Sequence, residues 1–138
     1  VDEYQIFEAR AYGADIILLI VAALTDQQIR NFSELTHQLG MRTLIEVHDG
    51  EELSRILHLI EQEMLSVDLL GINARNLKTL AISSSIFGEL VSHVPAHIPL
   101  IAESGIGSAS EVGSLASLGA DGVLVGEALV KDGQPAQA

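Results

Sequence analysis

Glu46 is a carboxylate set inside the apolar run Leu44-Ile45-Glu46-Val47-His48. An unpaired charge in such a strand would be costly to bury. Glu46 is therefore either held by a structural partner or is a carboxyl with a raised pKa suited to acid/base work. His48 shares its strand face through the two-residue alternation of extended chain and reads as a support for the site rather than an actor in it. Three other runs close on polar residues or glycine in the same way: Gly71-Ile72-Asn73-Ala74-Arg75-Asn76, Ala102-Glu103-Ser104-Gly105 and Val125-Gly126-Glu127. The first apolar run, by contrast, ends in Val21-Ala22-Ala23. If these runs are parallel strands, an acid, an amide, a guanidinium and two glycine turns converge on one rim.

The glycine turns have two readings. Gly105 and Gly107 would let backbone N–H groups approach a ligand closely, and a helix opening at Gly126 would add its positive end. Alternatively, they make tight turns and nothing more. Of the seven Lys and Arg residues, only Arg75 and Lys78 fall in a strand-to-helix loop. There an Arg suits bidentate binding of phosphate or carboxylate, the plain alternative being a solvated loop side chain. The histidines other than His48 show no ligand spacing, and no metal site or cofactor is read from the sequence.

The elements that must carry these residues alternate regularly. A helix over 3–12 ends at Gly13, and an unbroken apolar strand, Ile16–Ile20, is expected to be buried on both faces. Thr25 and Gln28 form a capping box before a helix with Ile29, Phe32, Leu35 and Leu39 on its apolar face. After the strand Thr43–Val47, Asp49 and Glu52 make a second capping pair, and Leu53, Ile56, Leu57, Ile60 and Met64 form the helical stripe. A strand at Leu69–Asn73, a weaker helix at Ser84–Ser92 and a strand at Leu100–Ala102 follow. Ser108 and Glu111 cap a helix stopping at Gly119, and Gly122–Val125 leads into a short helix from Gly126. Strands recurring about every 25 residues predict right-handed crossovers and a parallel sheet in one domain, residues 1–138.

Composition agrees. With 138 residues, 48% hydrophobic but only 4% aromatic, the core must be aliphatic, as in parallel sheets and barrels. A net charge of −12 argues against nucleic acid and anionic membrane as partners. No apolar run is long enough to span a bilayer. The absence of cysteine fits a reducing cytoplasm. The chain opens on Val1 directly into helical sequence, which reads as a fragment edge.

The motifs together resemble the indole-3-glycerol-phosphate synthases. The resemblance runs through Tyr4-Gln5-Ile6-Phe7-Glu8-Ala9-Arg10 and Gly13 to Ile20, then the Glu46, Asn73–Leu77 and Glu103–Ile106 motifs, ending in Leu124-Val125-Gly126-Glu127. It implies an α/β fold, a (β/α)8 TIM barrel, of which this chain would be about five parallel strands with their helices. It also implies a cofactor-free lyase of tryptophan biosynthesis. The reaction would convert 1-(2-carboxyphenylamino)-1-deoxyribulose 5-phosphate to indole-3-glycerol phosphate by ring closure, decarboxylation and dehydration. By resemblance, Glu46 matches the catalytic glutamate, while Asn73 and Ser104 match polar residues holding the reacting region, with Glu103 beside them. Arg75 matches an anion contact; Gly105, Gly126 and the Glu127 backbone match the phosphate site; Leu18 and Leu77 match apolar positions near the anthranilate ring.

Ala74 departs from the family's usual Asn or Ser. The family's first-strand lysine and glutamate and its third-strand lysine have no counterpart here, so this chain alone is expected to be inactive. The expected partners are a phosphorylated small molecule and, through open strand edges, the remaining barrel segment or a second copy. Alternatives are another phosphate-binding barrel, such as phosphoribosylanthranilate isomerase or the tryptophan synthase α subunit, or a non-catalytic phosphate-binding module.

Overall fold

The fold is read from a computed structural model, which describes residues 2–75 and 85–126. Helix α1 (Glu3–Ala11) leads into β1 (Ile16–Ile20), followed by α2 (Asp26–Gln38), β2 (Arg42–Val47), α3 (Gly50–Glu61) and β3 (Leu69–Asn73). Then come α4 (Ile86–Leu90), β4 (Leu100–Glu103), α5 (Ala109–Leu118) and β5 (Gly122–Leu124). The five strands form one parallel sheet in sequence order. Short α4 lies within the expected weak helix, whose first residue, Ser84, falls outside the described residues, as does any helix following Gly126.

Register fixes what each face carries. Ile20 pairs with Glu46, Glu46 with Gly71, Gly71 with Ile101, and Asn73 with Glu103. Alternation then puts Leu19, Ile45, Val47, Leu70, Ile72, Leu100 and Ala102 on one face, where they join Ile6, Ile29, Phe32, Leu53, Ile56 and Phe87 in the aliphatic core. The opposite face carries Leu18, Leu44, Glu46, Gly71, Asn73, Glu103 and Leu124. The first strand is thus not buried on both faces. Leu18 and Ile16 are 41% and 47% exposed, because β1 is an edge strand and only its helix-facing side is covered among the described residues.

The helical stripe of α3 also differs from expectation. Leu59, not Met64, completes it with Leu53 and Ile56, since the helix ends at Glu61 and Met64 lies beyond it, exposed. Thr25 and Gln28 do form a reciprocal capping box. The other two expected pairs are half of one. Asp49 accepts the Glu52 N–H and Ser108 that of Glu111, but each glutamate side chain reaches past the cap to the residue before it. Glu52 accepts from the His48 N–H at 2.9 Å and Glu111 from the Gly107 N–H at 2.8 Å.

At the entry ends of the strands every seam is tied. Arg42 N–H donates to Asp15 O at 2.9 Å, Leu70 N–H to Pro99 O at 3.0 Å, and Leu100 N–H to Asp121 Oδ2 at 2.8 Å. Asp68 is the densest knot: it takes the Thr43 N–H at 2.9 Å, the Thr43 hydroxyl at 3.1 Å, Arg42 at 2.7 Å and His37 Nε2 at 2.6 Å. Burial pushes the Asp68 carboxyl up, but the donors from Thr43, His37 and Arg42 outweigh it and hold it at about 2. No helix among the described residues is long and apolar enough to cross a membrane.

Candidate active site

The carboxylates gather at the opposite, C-terminal ends of the strands. Glu46 is the last inward-facing residue of β2 and Glu103 that of β4, with β3 between them. They meet because the intervening residue is Gly71. A Cβ there would lie 2.0 Å from Glu103 Oε1, so only a bare backbone leaves space for this side chain to cross β3 toward Glu46. Both acids are buried, at 4% and 3% exposure. Burial, then the hydrogen bond and the negative charge of Glu46, push the Glu103 carboxyl from 4.5 up to about 8. Two carboxyls in one dry site cannot both ionise freely, so at neutral pH they share a proton, carried by Glu103.

His48 stands just past β2 against this pair. Its Nε2 is 3.0 Å from Glu46 Oε1 and its Nδ1 is 3.2 Å from Glu52 Oε2. The Nε2 contact is short but off the N–H direction, so this atom, like Glu103 Oε1, is buried without a hydrogen-bond partner. Such atoms cost roughly 1–3 kcal/mol each. Both lie beside Glu46.

Asn73 and Arg75 follow on β3 and its exit. Asn73 Oδ1 accepts the Arg75 N–H at 2.9 Å, and the Ala74 N–H is held by Glu103 O at 2.9 Å, so the turn is fixed to β4. Ser104 has a φ of 65° and Gly105 one of 71°. Two successive left-handed residues make a tight turn at the rim. For serine this conformation is uncommon and strained. Gly107 is a correction: its N–H is spent on Glu111, which holds that carboxyl below its ordinary range, and is not available to a ligand. Gly126 follows β5 at the same rim; Leu77 and Glu127 lie outside the described residues. Leu18, two residues before Ile20, is exposed on the face that carries Glu46.

Sequence reasoning named Glu46, Glu103 and His48, which the structure brings together, but not Glu52 or Gly71 beside them. Glu52 was concealed by its capping role. Gly71 carries no side chain to attract notice; its only signal was a glycine in the middle of a buried strand.

A parallel strand–helix series of this kind, with acids and glycine turns at the carboxyl rim, is of the TIM-barrel class. Solved structures with the same fold include the tryptophan synthase α subunit of Pyrococcus furiosus, at TM-score 0.69 and 24% identity over 94% of this chain and 51% of that one. Another is N-acetylmannosamine-6-phosphate 2-epimerase from Clostridium perfringens, at TM-score 0.66 and 21% identity over 89% of this chain and 54% of that one. The sequence decides among such barrels. The model of the indole-3-glycerol phosphate synthase family matches residues 1–138, and the chain belongs to that family. The indole-3-glycerol phosphate synthase of Paenarthrobacter aurescens is 50% identical over 98% of this chain and 47% of its own length. That of Micrococcus luteus is 46% identical over 100% of this chain and 49% of its own. The chain thus spans about half the length of the curated relatives it matches.

Proposed function

We propose that this chain supplies the C-terminal half of an indole-3-glycerol-phosphate synthase site, a carbon–carbon lyase acting on 1-(2-carboxyphenylamino)-1-deoxyribulose 5-phosphate. The observation that carries the reading is the Glu46–Glu103 pair, a carboxylate and a carboxylic acid held together by the gap at Gly71. Ring closure and dehydration require a proton to be taken from one atom and given to another, and a pair sharing one proton can serve both directions. Glu46 is the proton acceptor; Glu103, protonated at neutral pH, is a donor to substrate oxygen. Asn73 and Ser104 hold the reacting region. Arg75 faces the substrate's anionic groups, and the left-handed pair Ser104–Gly105 with Gly126 and the Glu127 backbone receives the phosphate. Leu18 and Leu77 flank the aromatic ring.

These residues constitute part of the machinery, and the reaction belongs to the complete barrel, without an organic cofactor or metal. On this reading the 138 residues alone bind phosphate but turn over no substrate. The test is Glu46→Gln in a full-length barrel carrying this chain, followed by the fluorescence of the indole product. Loss of kcat by about 10²-fold or more with a smaller change in KM is expected of a group acting in proton transfer. An unchanged kcat would assign Glu46 a structural role.

A further inference from the structure

The ring of His48 has no evident structural task. Glu52 Oε2, on the first turn of α3, already ties β2 to that helix by accepting the His48 N–H at 2.9 Å. The same oxygen also takes the ring through Nδ1 at 3.2 Å. The backbone bond suffices for the tie; the ring contact does something more, which is to fix the imidazole's orientation. Glu52 is itself anchored, since its own N–H is capped by Asp49 at 2.9 Å and α3 buries Leu53 and Ile56 in the core. The outcome is a chain of contacts running from a rigid helix through an oriented ring to Glu46. Exposure falls along it from 18% at the Glu52 side chain to 7% at His48 and 5% at Glu46.

We infer that His48 is a positioning residue for Glu46, held by Glu52 through Nδ1 and setting the Glu46 carboxylate through an N–H at Nε2. Ionised carboxylates only accept, so both ring nitrogens must carry protons, Nδ1 toward Glu52 at 3.2 Å and Nε2 toward Glu46 at 3.0 Å, and the ring acts as an imidazolium held between two carboxylates. The contact lies off the N–H direction, and turning the Glu46 carboxylate toward the ring satisfies the orphaned Nε2. Glu46 thereby has two partners, His48 just past β2 and Glu103 on β4. The inference rests on the proposed role of Glu46 in proton transfer.

Two conservative variants separate this role from a structural one. A Gln amide reaches roughly as far as Nε2, and an Asn amide as far as Nδ1. In a full-length barrel carrying this chain, His48→Gln keeps kcat within about threefold of the parent. His48→Asn, which preserves only the Glu52 contact, lowers kcat about tenfold or more with KM changed less than about twofold. An Asn variant as active as the Gln variant, or more so, overturns the inference and leaves the ring a tie to α3. Nitrogen-15 chemical shifts of the parent protein give a second reading that needs neither variant folding nor turnover. Protons on both ring nitrogens at neutral pH support the inference, and a bare Nε2 or a bare Nδ1 overturns it. A parent barrel that makes no indole-3-glycerol phosphate instead defeats the functional proposal, a separate outcome that leaves the nitrogen shifts to decide the geometry.

Discussion

Replacing Gly71 by alanine places a methyl group in the path of Glu103. The new Cβ would sit 2.0 Å from Glu103 Oε1, 3.0 Å from Glu103 Cδ and 3.3 Å from Leu44 Cδ1. Ordinary contact is about 3.5 Å, so the carboxyl oxygen must retreat by about 1.5 Å. None of these neighbours is backbone, and the one most compressed ends a flexible side chain, so the strand keeps its place while Glu103 swings away from Glu46. Alanine in a strand gains about 0.5–1 kcal/mol over glycine, while overpacking costs roughly 1–3 kcal/mol. The net loss is about 1 kcal/mol, which for a full-length barrel is a fall in Tm of about 2–4 °C. Catalysis suffers far more: displacing a reacting group by about 1 Å costs on the order of 10²-fold. Gly71→Ala in a full-length barrel carrying this chain is therefore expected to fold, lose a few degrees, and lose about 10²-fold in kcat. Thermal unfolding and indole fluorescence measure the two quantities. A folded variant with kcat within about twofold of the parent would refute the reasoning, because turnover would then not need the Glu46–Glu103 contact.

Glu103→Gln is expected to stabilise the fold as pH rises. The parent carboxyl is held at about 8 against 4.5 in the unfolded chain, so its stabilising proton is fully present below 4.5 and lost as pH climbs toward 8. The gap in Tm between variant and parent should widen across that window while kcat falls; a gap constant with pH would contradict the shared proton. Asp68→Ala strips the Thr43 N–H and hydroxyl of their acceptor and leaves Thr43 buried, at a cost of about 2–4 kcal/mol. Because Asp68 is held at about 2, below its ordinary 3.8, the difference from the parent should shrink as pH falls from about 4 toward 2 in acid-unfolding curves. An isolated polypeptide of these residues is expected to self-associate or aggregate through the exposed Leu18, Ile16 and Leu124, despite a charge of −12. Sedimentation showing a stable monomer with cooperative unfolding would contradict that expectation.

The alternation of elements was legible because each strand is a short apolar run and each helix after a strand opens on a capping residue. Glu46 was conspicuous for a physical reason, a charge where the neighbours are Ile45 and Val47. The rest depended on what lies across the sheet. That Ile16–Ile20 is half exposed follows from its place at the edge, which its own residues do not encode. Glu52 looked like a helix cap and is one turn of a clamp on His48. Gly107 had the form of an anion-binding glycine, but its N–H is consumed by Glu111 four residues on. The left-handed turn at Ser104 was invisible, since serine gives no local signal for a φ of 65°.

The ties at the strand entry ends have a consequence for how such a protein can change. Asp15, Pro99, Asp68 and Asp121 lock the sheet at its base, while the acids, amide and glycine turns stand at the other rim. The two ends share one aliphatic core. Replacements at the rim can therefore redirect which anion is bound or which proton is moved, while strand register stays anchored from below. The base acts as a chassis and the rim as an exchangeable tool head. That division of labour fits the likeness of this half-sheet to an epimerase and to a tryptophan synthase subunit at under 25% identity. What such proteins have in common with this chain is the fold.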